Sequence, residues 1–270
     1  MLYRELKPPP ALQDAVRCLW ILEDEPGPNP VPEKVVPDGC VELLFQLGAP
    51  YRTLVPGSEA CEAPQPRSLV IGQIRRFIEI VPTGRVELIG VRLEPTALHR
   101  LLGVAMNELT DREVSLEELG RPDLLELEGR LHEARTWPTR VRLLSAWLEG
   151  ALPTRGCEAS AAVTHLRRSH GLAELGRVAR AVGVSTRTLD RRFRDRVGLS
   201  PKVYARQLRL QRAFELLGRS PGANLAEVAL ASGCYDQAHL NREFRDFAGE
   251  SPAAFLRARH ELSGHLTGLA

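Results

Sequence analysis

Two stretches near the C-terminal end of the chain are close copies of one another. The first runs Val178-Ala179-Arg180-Ala181-Val182-Gly183-Val184-Ser185 and continues with Leu189, Phe193, Gly198 and Ser200-Pro201. The second runs Val228-Ala229-Leu230-Ala231-Ser232-Gly233-Cys234 and continues with Leu240, Phe244, Gly249 and Ser251-Pro252. The offset is 50 residues from Val178 to Val228 and 51 from Phe193 to Phe244, so the second copy carries one extra residue. An internal repeat fixes architecture before any local reading does. Each copy reads as helix, tight turn, helix, a unit that points to DNA.

In the first copy, Val178, Ala179 and Val182 have helical spacing and Gly183 ends it. A glycine there supplies the positive φ of a sharp helix-ending turn. Ser185 is the N-cap candidate of the next helix. Leu189 and Phe193, four apart, form that helix's buried stripe. The second copy repeats the pattern with Ala229, Gly233, an Asp236 cap, Leu240 and Phe244. The other positions of each second helix face outward. Arg187, Arg191 and Arg194 share one face of the first, and Gln237, Asn241, Arg242 and Arg245 lie on the second. Arginine forks onto guanine edges, and Asn or Gln onto adenine edges, in the major groove. A run of arginines on one helix is ordinarily a solvated face. Two aligned copies, each with its turn glycine and cap, favour a pair of recognition helices.

Between the copies, Ser200-Pro201 start a helix that runs without a breaker to about Leu217. Val203, Leu210, Ala213, Phe214 and Leu217 give it an apolar face. Its length is about 25 Å at about 1.5 Å per residue. With the flanking units added, that is within reach of one DNA turn, about 34 Å.

The segment from about Ala159 to Arg259 resembles the DNA-binding domain of the AraC/XylS family of bacterial transcription regulators. The matching residues are the Gly183-Val184-Ser185 turn, Leu189 with Phe193, Gly198-x-Ser200-Pro201, and Arg209-Leu210-x-Arg212-Ala213-x-x-Leu216-Leu217. The second copy adds Val228-Ala229, Gly233, Tyr235-Asp236-Gln237-x-His239-Leu240-x-Arg242-x-Phe244 and Gly249-x-Ser251-Pro252. The resemblance implies an all-helical domain over 159–260, with helix-turn-helix motifs at about 175–197 and 225–248 placed in successive major grooves. It assigns base contacts to Thr186, Arg187, Asp190 and Arg191, then to Gln237, Ala238, Asn241 and Arg242. Asp190 departs from that role, because a carboxylate facing a groove repels phosphate unless it accepts from a cytosine amino group or pairs with Arg187 or Arg194. Arg194, Lys202, Arg206 and Arg245 are the candidate phosphate contacts.

Net charge divides the chain as sharply as the repeat does. From Arg155 to His260 there are 19 Lys and Arg against 10 Asp and Glu, whereas Met1 to Thr154 holds 17 against 23. A basic half beside an acidic one is the footprint of a nucleic-acid-binding half. The five cysteines, Cys18, Cys40, Cys61, Cys157 and Cys234, form no CxxC pair, so neither a zinc ribbon nor thioredoxin chemistry is suggested. The N-terminus has no apolar signal core and no run approaches membrane-spanning length. A cytoplasmic protein with reduced thiols is expected.

The first 152 residues read as a β unit followed by helices, so the fold class is α+β with an all-α domain at its end. Strands are expected over 15–22, 40–47, 68–74, 76–81 and 85–93, joined through turns such as Pro37-Asp38-Gly39 and Pro82-Thr83-Gly84. The stretches 27–32 and 56–66 read as loops. Short strands at this spacing favour a small barrel or sandwich. Helices are expected over 95–102, 122–134 and 138–152, with another starting at 116–119. These helices cover the sheet, and one pair is the candidate homodimer interface. Pro153 onward, to about 158, reads as a linker. Val36-Pro37-Asp38-Gly39-Cys40-Val41-Glu42-Leu43 and Gly84-Arg85-Val86-Glu87-Leu88-Ile89-Gly90-Val91-Arg92-Leu93 resemble a cupin-like sensor domain found ahead of this DNA-binding unit. Cupins often hold metal through a His cluster. Here His99 and His132 both fall in helical segments, so neither metal nor cofactor is expected.

Cys40, Arg76, Glu79, Glu87 and Arg92 are the candidate effector-pocket or sensor residues. Cys40 is either a buried small hydrophobe or a reactive thiol, and the second requires a lowered pKa. The chain is read as a one-component regulator, an activator rather than a repressor, with promoter DNA, RNA polymerase and a small-molecule effector as partners. Control is expected to pass through 122–134, 138–152 and the linker. The alternatives are a DNA-binding module fused to a cysteine-based alkylation-response or redox-sensing domain, and a structural DNA-binding protein without an effector. HExxH, GxSxG and phosphate-loop motifs are absent, so no enzyme is expected.

Overall fold

The computed structural model describes residues 1–54, 61–152, 157–220 and 222–258. Among them the N-terminal half contains strands β1 (Leu2–Leu6), β2 (Val16–Asp24), β3 (Glu33–Val35), β4 (Val41–Gln46), β5 (Tyr51–Leu54), β6 (Cys61–Pro64), β7 (Ser68–Ile71), β8 (Ile78–Pro82), β9 (Val86–Leu93) and β10 (Glu113–Ser115). They form two antiparallel sheets, one in the order β1-β2-β9-β4-β7-β10 and one in the order β3-β8-β5-β6. Helices α1 (Ala97–Leu102), α2 (Pro122–Glu133) and α3 (Trp137–Ala151) follow.

Both faces of the larger sheet are buried, and the period of two along each strand assigns its side chains. On β2, Leu19 and Ile21 face the helices while Trp20 and Leu22 face the second sheet. On β4, Leu43 and Phe45 take the helical side and Leu44 the other. Leu124, Leu127 and Leu131 of α2 and Leu144 and Leu148 of α3 close the helical side. Trp20 lies across Gly90 on the neighbouring strand, where a Cβ would stand 2.3 Å from the indole. A side chain at 90 would displace the ring, so glycine is required by close approach.

The C-terminal half is helical: α4 (Glu158–Arg168), α5 (Leu175–Ala181), α6 (Thr186–Val197), α7 (Pro201–Arg219), α8 (Leu225–Ala231), α9 (Gln237–Ala248) and α10 (Pro252–Ala258). Both turns are built as the repeat predicts. Gly183 has φ +72° and Gly233 φ +86°. The Ser185 side chain accepts from the Thr188 amide and the Asp236 carboxylate from the His239 amide. The long helix α7 belongs to two cores. Tyr204 and Leu208 pack with Leu189 and Phe193 of the first motif, whereas Leu210, Phe214 and Leu217 pack with Leu240 and Phe244 of the second.

Several local expectations are corrected. Residues 116–119 form a turn rather than a helix. Cys61–Pro64, inside the stretch read as loop, pairs with β5. Strands β1, β3, β5 and β10 were not anticipated. The expected linker Pro153–Gly156 lies outside the described residues, as does the end of the DNA-binding segment beyond Ala258.

The two halves meet directly. Thr110 donates to the Gly198 carbonyl at 2.8 Å, at the end of α6. The Phe77 amide donates to the Phe247 carbonyl at 2.8 Å, and Lys34 pairs with Glu250 at 2.5 Å. Gln207 and Gln211 of α7 donate to the carbonyls of Ile74 and Pro37, each at 2.7 Å. Arg167 of α4 pairs with Glu94. Val36 is part of the second motif's core, and Phe77 packs against it. These contacts run through α7, the ends of α6 and α9, and α4.

The Phe193 ring lies tilted against Tyr204 at 5.5 Å between centroids, and Phe244 meets Phe214 edge-on at 4.9 Å; both phenylalanines are fully buried. Truncating a buried aromatic leaves a cavity as well as losing its transfer energy, about 3–5 kcal/mol. Phe193→Ala and Phe244→Ala are each expected to lower unfolding stability by that amount in urea titrations. An unchanged midpoint in either would show that the ring does not support its core.

Candidate functional site: an exposed two-helix face and a buried cavity

On α6, Thr186, Arg187 and Arg191 are exposed and Asp190 is half-buried. On α9, Gln237, Ala238 and Arg242 are exposed and Asn241 is half-buried. Each helix therefore presents its first two turns outward, while Leu189 and Phe193, or Leu240 and Phe244, anchor the opposite side. Asp190 pairs with Arg194 one turn later at 2.9 Å, so its charge is answered within the helix. Arg194, Lys202 and Arg245 are exposed. Tyr235, 88% exposed in the second turn, stacks on His239 at 5.8 Å; the Asp236 cap begins the helix between them.

Arg206, a candidate phosphate contact, is engaged within the domain. It bonds Glu243 at 3.0 Å and Asp246 at 2.7 Å and lies over the Phe247 ring. Two carboxylates and an aromatic face engage this guanidinium, so it ties α7 to α9 instead of standing free for a phosphate.

The candidate sensor residues separate into two groups. Cys40 and Arg92 line a cavity of ≈ 80 Å³ between the sheets, together with Trp20, Leu44, Ile78 and Ile80. Arg76 is exposed, and Glu79 is half-buried on β8; neither lines the cavity. Glu87 points to the helical side of its sheet, where it pairs with Arg140 of α3 at 2.5 Å. Arg92 bonds Glu42 at 2.8 Å, and Asp38 and Glu5 lie at 3.4 and 3.5 Å. The second oxygen of Glu42 accepts from the Trp20 indole at 3.0 Å. Burial raises the Glu42 carboxyl above the usual carboxylate range while Arg92 opposes the shift. Asp38 and Glu42, part of the turn and strand motif in the sequence but not of the candidate sensor set, join Arg92 here; Glu42 shares the strand parity of Leu44.

The surroundings of Cys40 favour the buried-hydrophobe reading over the reactive thiol. Burial pushes its thiol up to about 12, against the pull of Arg17, whose guanidinium donates to the sulfur at 2.7 Å. A sensing thiol needs the opposite shift. Cys18 is likewise buried and pushed up to about 12. Iodoacetamide at pH 8 is therefore expected to leave Cys18 and Cys40 unmodified in the folded protein and to reach them only in denaturant, as read by peptide mass spectrometry. Rapid native labelling of Cys40 would restore the thiol-sensor reading.

Residues 178–258 match the family described as "Helix-turn-helix domain", and residues 4–115 match the family described as "Domain of unknown function (DUF6597)". Among curated relatives, the chain is 36% identical over 80 residues to the HTH-type transcriptional regulator GlxA of Rhizobium meliloti, covering 30% of this chain and 24% of that protein. It is 33% identical over 81 residues to the HTH-type transcriptional regulator MtrA of Neisseria gonorrhoeae, covering 30% and 27%. The chain thus spans about a quarter of the length of each of these relatives. Among solved structures, ToxT from Vibrio cholerae superposes with a TM-score of 0.49 at 8% identity, covering 88% of this chain and 96% of that one. The helix-turn-helix match takes in both capped helices, α6 and α9, and the DUF6597 match takes in the strands of the β half.

Proposed function

We propose that the protein is a sequence-specific, effector-responsive transcription regulator. It would grip promoter DNA with α6 and α9 and carry its sensor in the β domain. The observation that carries this is the pair of outward helices held on one rod, each capped by a side chain that accepts from the third amide, with Arg187 and Arg191 exposed on α6 and Arg242 on α9. The named relatives that share this domain are themselves transcriptional regulators. The base-reading set is Thr186, Arg187, Asp190 and Arg191 on α6 and Gln237, Ala238, Asn241 and Arg242 on α9, flanked by Arg194, Lys202 and Arg245 at phosphates. An activator working with RNA polymerase, as a homodimer through the α2–α3 pair, completes the proposal. The sensor is the cavity of Cys40 and Arg92, acting by differential affinity for two arrangements of the halves rather than by chemistry.

Selection of duplexes from a random pool by the full chain tests the assignment. A defined bipartite site is expected, with affinity falling steeply as salt rises because phosphate neutralisation releases counterions. Arg191→Ala and Arg242→Ala should each cost about 1–3 kcal/mol and relax preference at one localised position. Lys202→Ala should weaken all sequences alike. Arg206→Ala should act first on folding stability, since it breaks contacts within the domain. Retention of full sequence preference by both Arg191→Ala and Arg242→Ala would refute the assigned face.

A further inference from the structure

We propose that the cavity between the sheets takes a compact, uncharged, largely apolar molecule. Its one carbonyl or hydroxyl oxygen accepts from Arg92, and occupancy is passed to α7 through the segment Val36–Cys40. This deepens the effector reading above and rests on it.

The ligand's character follows from the walls. Trp20, Leu22, Leu44, Ile71, Ile78 and Ile80 make most of the lining apolar. Arg92 is 5% exposed, and its Nη2 has no hydrogen-bond partner. Of the unpartnered buried side-chain atoms among the described residues, it is the one whose residue lines the cavity. A buried donor without an acceptor is costly, so a molecule bringing one relieves the site. The acceptor should be neutral. Glu42, Asp38 and Glu5 already surround this guanidinium, and a ligand carboxylate would be a fourth anion beside them. An ammonium would face the two lining carboxylates but would leave the vacant donor unmet and place a second cation against Arg92.

The route follows from shared residues. Val36, Asp38, Cys40 and Ile74 line the cavity. On its other side the same segment seats α7. The Pro37 and Ile74 carbonyls accept from Gln211 and Gln207, and Gly39 lies so close to the Tyr204 ring that a Cβ there would be 2.8 Å from it. Asp38 holds the turn by accepting from the Cys40 amide at 2.8 Å, and its other oxygen makes the looser 3.4 Å contact with Arg92. A ligand oxygen on Arg92 therefore acts on the residue that shapes the seat of α7.

The full-length protein is tested with cyclopentanone, cyclopentanecarboxylate, cyclopentylamine and methylcyclopentane. Binding is read by saturation-transfer NMR and melting shift, and DNA affinity is measured with and without probe. The ketone should bind, and the carboxylate and amine should bind about tenfold or more weakly, since each sets a charge against a like charge the site already holds. The hydrocarbon, lacking an acceptor, should also bind less well than the ketone. Ile78→Trp, which fills the cavity and leaves the Arg92 cluster intact, should abolish ketone binding. Arg92→Met should do so too, and the Ile78 variant decides the matter if Arg92→Met does not fold. Saturating ketone should change DNA affinity by about 5-fold or more, a typical allosteric coupling. Gln207→Ala with Gln211→Ala should remove that change while keeping ketone binding. Equal or tighter binding of the carboxylate or amine, or ketone binding that survives Ile78→Trp, overturns the ligand class. Ketone binding with unaltered DNA affinity overturns the route. A chain that binds the ketone but holds no duplex overturns the regulator reading and leaves the cavity assignment standing.

Discussion

Everything in the C-terminal half is built against one rod. Nineteen residues of α7 run from the Ser200 cap to Arg219, and both motifs lay their cores on it. A single helix is stiff over this length, with about 1.5 Å of rise and a fixed rotation per residue. The separation and relative rotation of α6 and α9 are therefore properties of α7 more than of either motif. The same rod is buried on a further side, where Gln207 and Gln211 reach backbone carbonyls of the β domain. Whatever shifts that seat moves both motifs together.

The parts that could be read in advance are those whose causes lie within one turn of chain. A turn glycine, a cap three residues before the amide it satisfies, and an apolar pair four apart are local events, and they recur in both copies. The free or engaged state of an arginine is not local. Arg206 looks like any other cation on an exposed helix until Glu243 and Asp246, 37 and 40 residues later, fold back onto it. Likewise, β3 and β10 are three residues long and carry no periodicity to detect; their pairing partners β8 and β7 create them.

In the β domain, strand alternation by itself sorts the charged residues between the two faces. Glu87 and Arg92 are five residues apart on one strand, so the alternation of a strand puts them on opposite faces. Parity alone separates the Arg140 partner from the cavity residue. Parity also places Glu42 with Leu44, on the face opposite Leu43 and Phe45. What no pattern supplied was the depth of the site, which depends on a second sheet whose strands are short. Depth decides the chemistry of Cys40, because enclosure is the largest of the influences that raise its thiol and outweighs the pull of Arg17.

The packing of Val36 and Phe77 into the second motif bears on how such chains can be recombined. A domain boundary drawn along the sequence would assign both residues to the β half, yet the hydrophobic core of the second motif is completed by them. A hybrid that kept the helical half and exchanged the β half would inherit a core with two side chains missing and with Gln207 and Gln211 facing new neighbours. The structural module is thus larger than the two helix-turn-helix motifs alone. It includes the turn before β4 and the connection between the two sheets before β8, residues that in chain order belong to the other half.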